Sequence, residues 1–157
     1  MTLLTVAIPT YNGAKTIKIN LEKLVLIKKK FPIEIIVSDN NSTDNTAAII
    51  KSFKVVKYYK NNKNEGFDYN CHLSVKRSEG HYVWLLADND TFHINYFESI
   101  YYFLSRNKDL VTLFVNFPSP TNKMNEQKEE FKIYSNGNDF FKVTNYKSGF
   151  ISSNIIN

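Results

Sequence analysis

Short apolar runs alternate along this chain with segments of helical periodicity. Leu3 to Ile8 is apolar or β-favouring and predicts a first strand, broken by Pro9-Thr-Tyr-Asn-Gly13. From about Ala14 to Lys30, Ile17, Leu21, Leu24 and Val25 fall on one helical face, and lysines gather at the C-terminal end where the helix dipole favours them. Pro32 stops that helix. Ile33 to Val37 predicts a second strand, and Ser42 or Thr43 can cap a short helix running to about Phe53, with Asp44 suited to its first turn. Val55 to Tyr59 reads as a third strand, and Phe67 to Arg77 as a helix with Phe67, Cys71 and Ser74 or Val75 inward. A strand from Tyr82 to Leu86 follows. A helix then begins near Ile94, with Phe97, Ile100, Tyr101 and Leu104 as its buried stripe, and Leu110 to Val115 is a further strand. This alternation predicts an α/β fold, a three-layer sandwich with a mostly parallel central sheet.

Beyond Phe117 the pattern changes. Thr121 to Glu130 is a polar loop or flap, Phe131–Tyr134 and Phe140–Val143 are candidate short strands, and Ile151 to Asn157 reads as ordered. Residues 1–117 therefore form the expected core, and 118–157 the incomplete start of a second region of the same domain.

The most informative stretch is His81-Tyr-Val-Trp-Leu-Leu-Ala-Asp-Asn-Asp90, an apolar run ending in two carboxylates. Open α/β sheets place their ligands outside the carboxyl ends of the strands. Asp88 and Asp90 repel each other there unless a proton or cation intervenes, and Mg²⁺ or Mn²⁺ is suited to sharing such carboxylates with substrate phosphates. Against this stands a plain turn in which Asp88 or Asn89 caps the next helix. Two further polar loops, Pro9–Gly13 and Asp39–Asp44, also follow apolar strands and should open on the same edge. Together the three supply the Tyr11 ring, the amides of Asn12, Asn40 and Asn41, and the carboxylates of Asp39, Asp88 and Asp90. Such groups suit a nucleotide. With five glycines there is neither Gly-x-Gly-x-x-Gly nor a Walker sequence, which argues against dehydrogenases and P-loop ATPases.

Composition narrows the picture modestly. The 157 residues suffice for one domain with a real core, and no run approaches the ~18 apolar residues of a membrane span. A net charge of +5 is explained by solvated helix ends and loops, next by phosphorylated substrates or an anionic membrane surface, and only third by nucleic acid. Cys71, the single cysteine, fits a reducing cytoplasm and a small core role. His72, His81 and His93 lack zinc-ligand spacing.

Four segments, Val6-Ala-Ile-Pro-Thr-Tyr-Asn12, Val37-Ser-Asp-Asn-Asn-Ser-Thr-Asp-Asn-Thr46, Asn64-Glu-Gly-Phe-Asp-Tyr-Asn70 and Tyr82-Val-Trp-Leu-Leu-Ala-Asp-Asn-Asp90, resemble in order and spacing the motifs of family 2 glycosyltransferases. The third and fourth look most like the branch that builds bacterial surface polysaccharides, including abequosyltransferase-like enzymes. The resemblance implies a GT-A fold and an inverting, metal-dependent transfer from a nucleoside-diphosphate sugar, UDP foremost, to a glycan or lipid-linked acceptor. The location it implies is cytoplasmic, at the inner membrane face with peripheral contact.

It also implies roles. Pro9, Tyr11 and Asn12 line the base and ribose pocket, Asp39 reads the base edge, and Asn41 and Asn89 belong to the nucleotide site. Gly66 and Asn70 lie beside nucleotide and donor sugar. Asp88 faces the ribose or sugar, and Asp90, with Asp88, holds Mn²⁺ or Mg²⁺. The family's general base has no counterpart: Glu126, Glu129, Glu130 and Asp139 do not match its pattern. The chain is thus expected to be a C-terminally truncated donor-binding half. The alternatives are a nucleotide-binding module without catalysis and a nucleotidyltransferase, the latter disfavoured by the missing glycine- and basic-rich phosphate loop.

Overall fold

A computed structural model of the chain describes residues 2–90, 92–114 and 154–156. The candidate flap, the short strands at 131–134 and 140–143, and the late carboxylates lie outside the described residues. The elements in order are β1 (Leu4–Thr10), α1 (Ile17–Lys28), β2 (Glu34–Asp39), α2 (Thr46–Lys51), β3 (Lys57–Lys60), α3 (Phe67–Lys76), β4 (Tyr82–Leu85), α4 (Ile94–Arg106), β5 (Thr112–Phe114) and β6 (Asn154–Ile156).

The strands form one six-stranded sheet of order β3-β2-β1-β4-β6-β5. β1, β2, β3 and β4 are mutually parallel, while β6 runs antiparallel between β4 and β5. The chain steps outward from β1 through β2 to β3 and then returns to lay β4 on the other side of β1. Strand order therefore reverses between β1 and β4, and at such a switch point the loops leaving neighbouring strands diverge and open a crevice.

Side-chain alternation sorts the layers. Leu4, Val6 and Ile8 of β1, Ile35 and Val37 of β2, and Tyr82 and Trp84 of β4 pack with Ile17, Leu21, Leu24 and Ile27 of α1 and Phe97, Ile100 and Leu104 of α4. The expected stripe of α1 holds except that Ile27, not Val25, completes it. The opposite face carries a much smaller apolar patch, Ala7, Ile36 and Val83, under α3. Here the structure corrects part of the sequence reading of α3: Ser74 is inward and Val75 packs on this patch as expected, but Phe67 does not. The buried residues of the helix are Asn70 and Ser74, Cys71 is half-buried, and Phe67 is 63% exposed. The helix rests on a polar seam because Ser38 alternates onto this face of β2. The Cys71 thiol is pushed up to about 11 by burial and, secondly, by the nearby Asp68 charge.

Two more boundaries differ for identifiable reasons. β1 continues through Pro9, which was expected to end it. Residues i and i+2 direct their backbone groups to the same neighbour, and Ala7 O accepts from Leu86 N–H at 2.9 Å. The N–H that Pro9 lacks thus faces β4, whose strand has already ended, and no ladder bond is lost. Helix α2 is capped by neither Ser42 nor Thr43. Asp44 Oδ1 instead accepts from Thr46 N–H at 3.0 Å.

Lys28–Lys30 behaves as a charged helix end: Lys28 Nζ donates to Ile33 O, and Lys30 lies 3.4 Å from Glu98. No helix among the described residues is long and apolar enough to cross a membrane.

The end of the sheet away from the crevice is fastened by Glu34. Its buried carboxylate accepts from Thr5 Oγ1 and from Glu79 N–H (2.8 Å) and pairs with Lys57 at 2.6 Å. Burial pushes the carboxyl up, but Lys57, the Thr5 hydroxyl and the Glu79 N–H together outweigh it, and the net direction is down from 4.5. A depressed native value means stability that is fully present above 4.5 and lost as pH falls through the lower native value. The melting temperature of wild type should therefore exceed that of Glu34→Gln at neutral pH, and the gap should close on acidification below pH 4.5. A gap independent of pH would contradict this.

Candidate functional site

A cleft of about 310 Å³ opens at the switch point, lined by Pro9, Thr10 and Tyr11 after β1, Asn40 after β2, Asn64, Phe67 and Asn70 from the entry to α3, and Ala87, Asp88 and Asn89 after β4. All three loops singled out in the sequence do open on one edge. Tyr11 is half-exposed and Phe67 largely so, which leaves two aromatic rings available to a ligand.

The acidic turn sits at one side. Asp90 N–H donates to Ala87 O at 3.2 Å, closing a tight turn. Thr10 Oγ1 donates to Asp88 Oδ2. Burial, the largest influence, raises the Asp88 carboxyl above its ordinary range. The charge of Asp90 adds to that rise, while the Thr10 hydroxyl and the Asn89 N–H oppose it. Asp90 is exposed, one residue beyond the lining Asn89. A cation beside these carboxylates would relieve both the burial penalty and their mutual repulsion. Among the described residues no group of three or more His, Cys, Asp or Glu is gathered to cage a metal. The donor set therefore fits a hard ion that completes its shell with phosphate oxygens and water, as Mg²⁺ and Mn²⁺ do.

The floor is built by amides. Asn70 makes every hydrogen bond its side chain can make: Oδ1 accepts from Ser38 Oγ (2.7 Å) and Asn61 Nδ2 (3.2 Å), and Nδ2 donates to Ser38 O (2.9 Å) and Thr10 O (3.4 Å). Asn61 Nδ2 also donates to Asn40 Oδ1 at 3.0 Å, and Asn40 Nδ2 donates to Asn64 Oδ1 (2.8 Å) and Gly66 O (3.0 Å). Arg77 closes the network from below, donating to Ser38 Oγ (2.6 Å) and Asn61 Oδ1 (3.0 Å), its guanidinium 5.1 Å from the Tyr59 ring. A helix-surface role for Asn70 is excluded by this burial.

The remaining expected residues shape the rim. Asn12 and Asn41 adopt positive φ, 53° and 66°, which asparagine tolerates better than most side chains. Asn12 N–H donates to Ser42 Oγ, and its Oδ1 accepts from Thr43 N–H, each at 2.9 Å, which ties the β1 loop to the β2 loop. Asp39 is fully buried. Its two oxygens accept from Ser42 N–H and the Tyr58 hydroxyl, both at 2.7 Å, and it does not line the cleft. The alternation that sends Ser38 under α3 sends Asp39 to the other face, where it braces its own loop. Gly66, at φ 86°, enters α3 and does not itself line the cleft. Of the expected site residues, Pro9, Tyr11, Asn70, Asp88 and Asn89 line the cleft, whereas Asn12, Asp39, Asn41, Gly66 and Asp90 stand behind or beside it. Thr10, Asn64, Phe67 and Ala87 were not singled out as site residues, although all four stand in quoted motifs.

The sequence matches the model of glycosyl transferase family 2 over residues 5–154. The chain belongs to that family. Among relatives of this glycosyltransferase chain, an uncharacterized glycosyltransferase of Rickettsia conorii is 30% identical over 139 residues, 87% of this chain and 22% of that protein. Abequosyltransferase RfbV of Salmonella typhimurium is 34% identical over 96 residues, 56% of this chain and 28% of that protein. The chain spans between 22% and 35% of the length of the curated relatives it matches. Among solved structures, S. aureus TarS, determined with UDP and with UDP-GlcNAc, superposes with TM-scores of 0.65 and 0.66 at 22% identity, covering 79% of this chain and 37–38% of that one. A Pyrobaculum calidifontis mannosyltransferase in complex with GDP-Man and Mn²⁺ gives 0.60 at 19% identity, over 72% of this chain and 35% of that one. These likenesses identify the glycosyltransferase GT-A fold.

Proposed function

We propose that the cleft binds the nucleoside-diphosphate moiety of a sugar donor, UDP foremost, and that the chain is the donor-binding part of an inverting glycosyltransferase. The observation that carries this reading is the convergence, at one switch point, of an aromatic and amide-lined cleft with an acidic turn. The donor complexes of TarS and the name of the Salmonella relative support it.

Tyr11 and Pro9 offer the base a flat apolar face, and Asn64 and Asn40 offer amide edges. Asn70 keeps the floor rigid. Asp39 serves through the loop it braces, together with Asn12, Asn41 and Gly66. Asp88 and Asp90 hold a divalent ion, Mn²⁺ or Mg²⁺, and Asn89 lies between them. When bound, that ion offsets the negative charge developing on the diphosphate leaving group. Among the described residues lining the cleft the acidic one is Asp88, which this reading gives to the ion, so it assigns no general base. The acceptor in this reading is a glycan or lipid-linked glycan of a bacterial surface polysaccharide, met at the cytoplasmic face of the membrane.

Calorimetric titration of UDP, dTDP, CDP and GDP, each with Mn²⁺, tests the reading. One pyrimidine diphosphate should bind clearly more tightly than GDP. Absence of binding by every nucleotide, in protein shown to be folded, would overturn it.

A further inference from the structure

Helix α1 carries Asn20 inside its apolar stripe, between Ile17 and Leu21 and 2% exposed. Its Nδ2 donates to two carbonyls of the acidic turn, Asp88 O at 3.2 Å and Asp90 O at 2.7 Å. Three residues on, Lys23 Nζ donates to Phe92 O at 3.0 Å and lies 5.5 Å from the Phe92 ring. One face of α1 therefore grips the carbonyls of residues 88, 90 and 92. The amide orientation is fixed by chemistry, since a flipped Asn20 would aim its oxygen at two carbonyl oxygens. In that orientation Oδ1 is buried without a hydrogen-bond partner. An unpaired buried acceptor is unfavourable, and a leucine, which suits the stripe, would avoid it.

We propose that Asn20 is a positioning residue for the acidic turn: its Nδ2, bridging the carbonyls of Asp88 and Asp90, sets the separation and aim of the two carboxylates toward a divalent cation. The inference rests on the donor-binding reading above. A backbone held at two alternate carbonyls cannot pivot about the intervening Asn89, so the ion meets a preformed pair of ligands. Groups that orient metal ligands without touching the metal commonly matter about 10–100-fold in metal affinity.

The test uses Asn20→Leu, with the smaller Asn20→Ala as a second variant should the leucine fail to fold, and has two readouts. In nucleotide-free protein, exchange of the Asp90 amide hydrogen, which closes the turn onto Ala87 O, reports turn opening by NMR. It should be about tenfold faster in the variant, with sheet amides unchanged. In calorimetry with UDP, the ratio of affinity in Mn²⁺ to affinity in EDTA should fall about tenfold. A general packing defect would weaken both conditions alike and leave that ratio intact. Unchanged Asp90 exchange, or an unchanged ratio in a wild type that binds, overturns the inference. A wild type that binds UDP equally in Mn²⁺ and EDTA overturns the metal part of the donor-binding reading, and one that binds no nucleotide overturns that reading as a whole.

Discussion

Gly13→Ala should weaken diphosphate-nucleotide binding by about tenfold or more while the protein stays folded. Gly13 is buried where β1 turns into α1, and its carbonyl accepts from the N–H groups of Thr16 (3.1 Å) and Ile17 (3.0 Å). A Cβ added there falls far inside contact distance of Asp88 Oδ2 and Thr10 Oγ1, the very hydrogen bond that fixes the Asp88 carboxylate. Overpacking of this kind costs about 1–3 kcal/mol, and each ~1.4 kcal/mol taken from binding is a factor of ten. The relief available is to break the Thr10–Asp88 bond and turn the carboxylate, so the cost appears at the site. Gly80→Ala is the control. Its Cβ meets the backbone of Leu4 and Thr5 at the opposite end of the sheet, so it should lower the melting temperature and leave affinity alone. Equal affinities for Gly13→Ala and wild type, by titration of UDP, would contradict this account of Asp88.

The second large effect is on stability. Asn70→Leu removes four hydrogen bonds at once, leaving Ser38 Oγ, Asn61 Nδ2 and the carbonyls of Ser38 and Thr10 without that partner beneath a helix with little apolar support. Ser38 Oγ, Asn61 Nδ2 and the Thr10 carbonyl each keep one other partner, the Arg77 guanidinium, Asn40 Oδ1 and the Asn40 N–H, so the cost is that of four buried bonds at about 1 kcal/mol each rather than of four orphaned groups. Chemical denaturation should show a loss of about 3 kcal/mol or more. Asn70→Asp should be similarly damaging, because a carboxylate offers acceptors to two carbonyls that need donors. Loss below about 1 kcal/mol in either variant would mean that the amide network is slack rather than structural.

The same network shows where sequence reading stops. β1, β2 and β4 were legible because each is a local run of β-favouring apolar residues, and the place of Asp88 at the cleft because a carboxylate just after a strand is a local signal. The inner face of α3 was read only in part, at Ser74 and Val75, because hydrophobic periodicity finds apolar faces and passes over the buried Asn70. The Asn70 partners Ser38, Asn61 and Thr10 are far apart in sequence. For Asp39, read as a base-edge group, the two-residue period of β2 did not reveal that the carboxylate is fully buried and bonded to Ser42 N–H and the Tyr58 hydroxyl. The place of β6 between β4 and β5 is set by pairing across about 70 residues to β4 and about 40 to β5, which no local pattern encodes. Asn20 did leave a trace: a lone amide at a position where the stripe of α1 calls for an apolar side chain. Gly13 left none, since the atoms that exclude a Cβ come from Thr10 and Asp88.

The central claim is that the acidic turn binds a divalent ion together with the donor diphosphate. Titration of UDP into wild type and Asp90→Ala, in Mn²⁺ and then in EDTA, tests it most directly. The account predicts at least about tenfold tighter binding in Mn²⁺ for wild type, and no such gain for Asp90→Ala. Equal affinity in Mn²⁺ and EDTA for folded wild type, or a full Mn²⁺ gain retained by Asp90→Ala, would contradict it.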